Sequence, residues 1–424
     1  MKYSKLREHL EIDHLNGNAE GMAFLTHYLQ NQTNDAGHSY ATQARAVLSE
    51  STNAIAAVSE SQQLYLPIQW DVPFPPPPDP TFTFIDLFAG IGGFRIPLQE
   101  LGGKCIFTSE FNPHAQRAYE KNFGEVPFGD ITKLNLNIVP QHDVLCAGFP
   151  CQPFSISGKM KGFEDTRGTL IYYVFQLIEQ RQPSVVFLEN VKHLVHHDGG
   201  RTLQTIVQHL EELGYRVSQK VLNASDFGVP QNRERIILIG HRERQFNFNQ
   251  VQKFSRCVLK DVLDTNADFE YLDEPYTILD RQTTQDSGLI FSGYRNKTIR
   301  KAGVRPGTEH LSRVHKQPNR IYSSEGTHPA LPSQESSGRF WIYHEGRVRK
   351  LTINECYRIM GFPDEFILTG AKSELYRQIG NSVCIPMIRE IGRQLIAQLL
   401  TNDRPDADPV FRESLFQHDG SCWA

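Results

Sequence analysis

No apolar stretch of this 424-residue chain approaches the ~18 residues of a membrane span. Its first residues, Met1-Lys2-Tyr3-Ser4-Lys5, lead into a polar segment, so no signal peptide is expected. Seven cysteines stand at 105, 146, 151, 257, 356, 384 and 422, and none form a Cys-x-x-Cys pair. That scatter argues against a zinc site, against a disulfide framework and for a reducing cytoplasm. Positive charge is also missing overall: the formal net charge is -4, which would not announce a nucleic-acid binder. There is no internal repeat, and at ~150 residues per domain the length suits two or three units.

The charge that is present is unevenly placed. Residues 281–350 hold thirteen Lys and Arg against five Asp and Glu, whereas residues 1–80 hold four against nine. A basic stretch inside an acidic chain is a candidate footprint for phosphates. Residues 1–72 read as a helical N-terminal extension, with Leu6, Leu10, Phe24, Leu25, Tyr28 and Leu29 at helical spacing. A proline-rich linker spans 73–80. From 81 onward, near-continuous apolar strands at Thr83–Phe88, Ile106–Ser109, Val144–Ala147, Val185–Leu188 and Arg235–Ile239 alternate with helices. That rhythm predicts an α/β fold with a doubly wound, mostly parallel sheet, which binds ligands beyond the carboxyl ends of its strands. Residues 81–255 form the first part of this domain and 346–402 its return. The turn-rich, basic residues 256–345 read as a smaller inserted domain, and 403–424 as a tail.

Two motifs sit at strand ends. Ala89-Gly90-Ile91-Gly92-Gly93 allows close approach of a ligand to the backbone. Arg95 stands where a dinucleotide fingerprint needs its third glycine, which disfavours NAD and FAD. Glu110 is placed to hold ribose hydroxyls and Asp130 an exocyclic adenine amine. A nucleoside ligand without a diphosphate, S-adenosylmethionine, suits the set. The second motif, Gly148-Phe149-Pro150-Cys151-Gln152-Pro153, frames a thiol between two prolines that restrict its backbone. A stiffly presented thiol suits a nucleophile.

With Glu189-Asn190-Val191 and Gln231-Asn232-Arg233-Glu234-Arg235, this run resembles the DNA (cytosine-5)-methyltransferases over roughly residues 81–400. The resemblance implies a methyltransferase domain that binds S-adenosylmethionine and carries a target-recognition insertion. It places Phe88 near the adenine, Gly90, Gly92 and Gly93 near the methionine part, and Glu110, Phe111, Asp130, Ile131 and Pro150 around the nucleoside. Asn381 and Ser382, in Gln378-Ile379-Gly380-Asn381-Ser382-Val383, close the same pocket. Cys151 would add to C6 of cytosine, because C5 is too poor a nucleophile until the ring becomes an enamine. Glu189 would protonate N3 and Arg235, with Arg233 beside it, would serve the ring oxygen. No metal is expected.

A base inside a duplex must be extruded to reach a thiol. The loop after Cys151, with Ser155 and Ser157, is expected to close over DNA. Gln317 and Arg320, in Gln317-Pro318-Asn319-Arg320, resemble the family's readout stretch, although Ala330-Leu331 replaces the usual Thr-Leu. Arg349-Lys350-Leu351-Thr352 matches a motif that organises the junction between domains. The expected partner is double-stranded DNA, with a cognate restriction endonuclease acting on the same site. The protein is expected to be a cytoplasmic, nucleoid-associated monomer. Two other readings are a transfer-RNA cytosine methyltransferase, whose Cys-Phe-Thr tripeptide is absent here, and a DNA-binding regulator working through the acidic N-terminal extension.

Overall fold

The computed structural model describes residues 2–9, 19–50, 68–150, 170–295, 319–335 and 338–400. Its larger sheet contains β1 (Phe82–Leu87), β2 (Gly103–Ser109), β3 (Val144–Gly148), β4 (Val185–Val191) and β5 (Arg216–Asn223). After the two-residue β6 (Gln231–Asn232), which pairs elsewhere, β7 (Glu234–His241) completes it. The order is β2-β1-β3-β4-β7-β5. The pairs among β1 to β4 are parallel, while β7 runs antiparallel to both β4 and β5.

The chain moves from β1 outward to β2, then returns to β3 on the other side of β1. This reversal opens a crevice at the carboxyl ends of these strands. Alternation along the strands builds two cores. Ile85, Leu87, Leu145, Val186 and Leu188 pack on one face. Phe84, Val144, Cys146, Phe187 and Ile239 pack on the other, against the helix Ile385–Leu395. β5 was not expected from its sequence, because it is a half-exposed edge strand with polar residues and no apolar run.

The smaller sheet holds β8 (Tyr276–Ile278), β9 (Phe291–Arg295), β10 (Arg320–Ser323), β12 (Trp341–His344) and β13 (Arg347–Lys350), while β11 (His328–Pro329) pairs with β6. β13 lies on this sheet although the expected boundary falls at residue 345. Arg349 makes a two-pronged, buried ion pair with Glu355, at 2.7 and 3.0 Å. Glu355 also accepts the amides of Thr352 and Asp264. These bonds tie the small sheet to the helix Ile353–Ile359, whose first turn Thr352 and Glu355 cap reciprocally.

The N-terminal extension is not an appendage. In its helix Ala19–Asn31, every residue from Gly21 to Asn31 is buried, and Phe24, Leu25 and Leu29 join the core beneath the large sheet. Phe74 and Pro75 of the proline-rich stretch are held by Asn122 and Gln99. Cys105, Cys146, Cys356 and Cys384 are free and buried. The buried Cys257 sulfur lies 3.1 Å from the Gly228 carbonyl. Among the described residues no helix is long and apolar enough to cross a membrane.

Candidate active site

At the crevice lies a cavity of about 630 Å³, lined from β1, β2, β3, β4, β7 and the Gln378–Ser382 segment. Its first wall is the glycine loop. Phe88 at φ +57° and Gly90 at φ +56° carry the chain through a left-handed turn, and both line the cavity. A left-handed phenylalanine is strained by on the order of 1–3 kcal/mol, which the surrounding packing must offset. A side chain at Gly90 would meet nothing within 4 Å, so that backbone faces open space a ligand could fill. Gly92 and Gly93, expected to touch the cofactor, are absent from the lining. They are small for packing instead: a Cβ would sit 2.4 Å from the Phe123 ring at Gly92, and 2.8 Å from Ser382 Oγ at Gly93.

Glu110 follows β2. Its Oε2 accepts the Gly90 amide and its Oε1 the Asn112 amide, each at 2.8 Å. Burial raises this carboxyl above the usual carboxylate range, while those two amides pull it down. Asn112 then caps the helix Pro113–Phe123, accepting from the amides of His114 and Ala115. Phe111 beside it is 73% exposed, an apolar ring left uncovered at the mouth of the cavity. Asp130 Oδ1 accepts from the Thr132 amide and hydroxyl, and Ile131 is buried against the same wall. Asn381 and Ser382 close the far side.

The second half of the site is carboxylate and guanidinium. Glu189 stands beside Gly148 in the parallel register of β3 and β4, and Arg235 opposes Val191 across β4 and β7. Those registers bring Arg235 Nε to 2.8 Å from Glu189 Oε1. Burial raises the Glu189 carboxyl, with Arg235 and then Arg233 acting against it. Asn190 Nδ2 donates to the Phe149 carbonyl at 2.7 Å, fixing the chain where it enters Pro150. Cys151, Ser155 and Ser157 lie outside the described residues, as does Gln317.

Arg233, expected beside Arg235 in the chemistry, lines the cavity and is also bonded to main-chain carbonyls. Its guanidinium is buried and donates to the carbonyls of Leu331 at 3.3 Å, Gly380 at 2.8 Å and Ser382 at 2.7 Å. Burial, then the neighbouring Arg235, lowers its pKa to about 9, and three carbonyl acceptors favour its charged form. It is a positioning residue that ties the small-domain segment at Leu331 to the segment closing the cavity. Asn112 and Gln378 also line the site without having been anticipated. Gln378 donates to the carbonyls of His114 and Thr369, bridging two walls.

The basic stretch is partly spent within the fold. Arg320 stacks over Phe291 and Arg295 over Trp341, at 5.5 and 5.3 Å. Arg347 lies 3.5 Å from the Tyr271 ring, and Lys350 pairs with Glu270 and Glu335. Six of the thirteen cations fall within residues 296–318, outside the described residues.

A profile of the C-5 cytosine-specific DNA methylase family matches residues 82–397. The chain belongs to that family. It is 40% identical over 325 residues to type II methyltransferase M.HhaI of Haemophilus parahaemolyticus, covering 74% of this chain and 94% of that one. It is 41% identical over 336 residues to M.HpaII of Haemophilus parainfluenzae, covering 75% and 90%. Among solved structures, a putative DNA modification methyltransferase encoded within an E. coli prophage aligns with a TM-score of 0.55 at 21% identity, over 75% of this chain and 99% of that one. The S. pombe Dnmt2 methyltransferase aligns at 0.55 and 18%, over 76% and 99%. Those two likenesses are of fold. The family match makes this chain a DNA (cytosine-5)-methyltransferase. Among its described residues, no group of three or more His, Cys, Asp or Glu could hold a metal ion.

Proposed function

We propose that this methyltransferase acts on a cytosine flipped out of a specific short duplex site, through a covalent bond from Cys151 to C6. The observation that supports it is the buried Glu189–Arg235 pair, 2.8 Å apart, beside the Gly148–Pro150 segment that leads into Cys151. The cavity fits S-adenosylmethionine: Gly90 opens onto it, Glu110 and Asp130 offer carboxylates, and the exposed Phe111 ring offers an apolar face. Bound there, S-adenosylmethionine supplies an electrophilic methyl group on a sulfonium.

The chain's own residues then have defined tasks. The Cys151 thiolate adds to C6, and the C5–C6 π pair moves into the ring. Glu189, whose carboxyl burial pushes toward its protonated form, gives its proton to N3. Arg235 donates to O2 and stabilises charge on the ring. C5, now an enamine carbon, accepts the methyl group. Loss of the C5 proton to a base then expels the Cys151 thiolate, and N3 returns its proton to Glu189, which restores the aromatic ring. Splitting the reaction this way replaces one difficult step by two easier ones.

Flipping costs a few kcal/mol, which contacts to phosphates and base edges must offset. Gln317, Arg320 and the basic residues of 296–318 are the candidates, with Ser155 and Ser157 on the loop that closes. The enzyme would protect DNA from an endonuclease that cuts the same site. Duplex DNA carrying 5-fluorocytosine at the target tests the adduct. Fluorine cannot leave as a proton does, so a denaturation-resistant complex should accumulate with the wild type and not with Cys151→Ala. Turnover without a trapped species would overturn C6 attack.

A further inference from the structure

The matched family region starts at residue 82, yet the helix Ala19–Asn31 touches three of the elements that build the cofactor pocket. We propose that this helix braces that pocket from behind, with Gln30 and His27 as positioning residues that set cofactor affinity. The inference rests on reading the pocket as the S-adenosylmethionine site.

The first contact is to the glycine loop. Arg95, two residues beyond Gly93, is fully buried, and each of its three nitrogens is engaged. Nε reaches Gln99 at 2.6 Å, Nη1 reaches Glu125 at 2.8 Å and Tyr119 at 3.2 Å, and Nη2 reaches Gln30 Oε1 at 2.7 Å. The guanidinium lies 4.8 Å from the Phe123 ring, the same ring that closes on Gly92. Gln30 Nε2 in turn donates to the Phe123 carbonyl at 2.6 Å. One side chain thus fixes both residues that hold the loop from behind.

The second contact is to the strand that ends in Glu110. β2 is an edge strand, and an edge N–H needs a partner. His27 Nε2 accepts the Thr108 amide at 3.1 Å while its Nδ1 donates to the Ala23 carbonyl at 2.8 Å, so the ring is neutral. The third contact is to the segment before Asp130. Thr26 Oγ1 accepts the Val126 amide at 3.0 Å, and Phe24 packs edge-on against Phe128, 5.0 Å between centroids. Phe128 pairs its amide with the Thr108 carbonyl and its carbonyl with the Glu110 amide. A shift of the helix would therefore move Gly90, Glu110 and Asp130 together.

The test is the dissociation constant of S-adenosylmethionine for the full chain, measured by calorimetry well below the unfolding temperature. Gln30→Leu and His27→Leu should each weaken binding by about ten-fold or more, because each strands a buried partner. The KM for the cofactor should rise by a similar factor, with kcat at saturation falling less. His27→Gln, which keeps an acceptor for Thr108, should recover most of the affinity. Should Gln30→Leu not fold, Thr26→Val is milder and should still weaken binding several-fold. A lowered unfolding temperature with wild-type cofactor affinity in these variants would overturn the inference alone. A wild-type chain that binds DNA but not S-adenosylmethionine would overturn the reading of the pocket, and the inference with it.

Discussion

The side-chain amide of Asn190 donates to the main-chain carbonyl of Phe149 at 2.7 Å, across the end of β3 and β4. Asn190 also accepts the Val191 amide, so its rotamer is fixed from both ends. The carbonyl it holds is two residues from Cys151, and the carboxylate before it is Glu189.

Asn190→Ala should therefore lower kcat by about 10- to 100-fold through misplacement of the thiol. Affinity for S-adenosylmethionine should stay within a few-fold of wild type. Single-turnover methylation and calorimetry separate the two. Unchanged kcat would show that the Phe149 carbonyl needs no anchor.

Glu189 is expected to act as an acid, and burial raises its pKa from the usual value near 4.5. Its proton is retained at pH values where an exposed glutamate has lost it, and the rate should fall as pH rises through the raised value. Glu189→Gln should cost about 10²- to 10⁴-fold in kcat. A pH–rate profile of the variant should lack that alkaline limb. Persistence of the same limb would assign it to another group.

Arg233 is bonded to the carbonyls of Leu331, Gly380 and Ser382. Arg233→Lys keeps the charge but not the planar fork, and one ammonium cannot reproduce that geometry. Stability should drop by about 3 kcal/mol, read by denaturant unfolding, and cofactor binding should weaken with it. Full stability combined with lost turnover would return Arg233 to the chemistry.

Asp86 is fully buried in β1 with neither carboxyl oxygen hydrogen-bonded, and burial raises its pKa well above the usual value. Its folded-state pKa exceeds the unfolded one, so stability is greatest below the unfolded value and declines as pH rises toward the folded one. Each unit of difference corresponds to about 1.4 kcal/mol. Asp86→Asn removes this dependence and should gain stability relative to wild type at pH 8 compared with pH 4. Parallel unfolding curves for the two proteins at both pH values would contradict it.

Much of the site was legible because its chemistry is local in sequence. The glycine turn, Glu110 and Pro150 each follow an apolar strand, Glu189 sits near the end of another, and strand ends converge by topology. Charge was the poorest guide. Arg349 and Lys350 swell the charge count of the basic stretch, yet both are buried in ion pairs with Glu355, Glu270 and Glu335, as the junction motif they belong to implies and their charge does not. Arg233 looked like a partner of Arg235, two positions away. Both lie at the cavity, but the guanidinium of Arg233 is spent on three main-chain carbonyls that are about 100 and 150 positions away.

The order of apolar strands and helices by itself determined the α/β class, since continuous apolar runs can be buried only in a sheet covered on both faces. The motifs determined the family. What only the tertiary structure decided is which polar groups meet. Gln30 lies 65 positions from Arg95, and His27 lies 81 from Thr108. Their sequence spacing carries no sign of the pairing, because the partner of a buried donor is set by how elements dock and not by chain distance. The N-terminal segment read as a polar extension for that reason, and burial made it part of the domain.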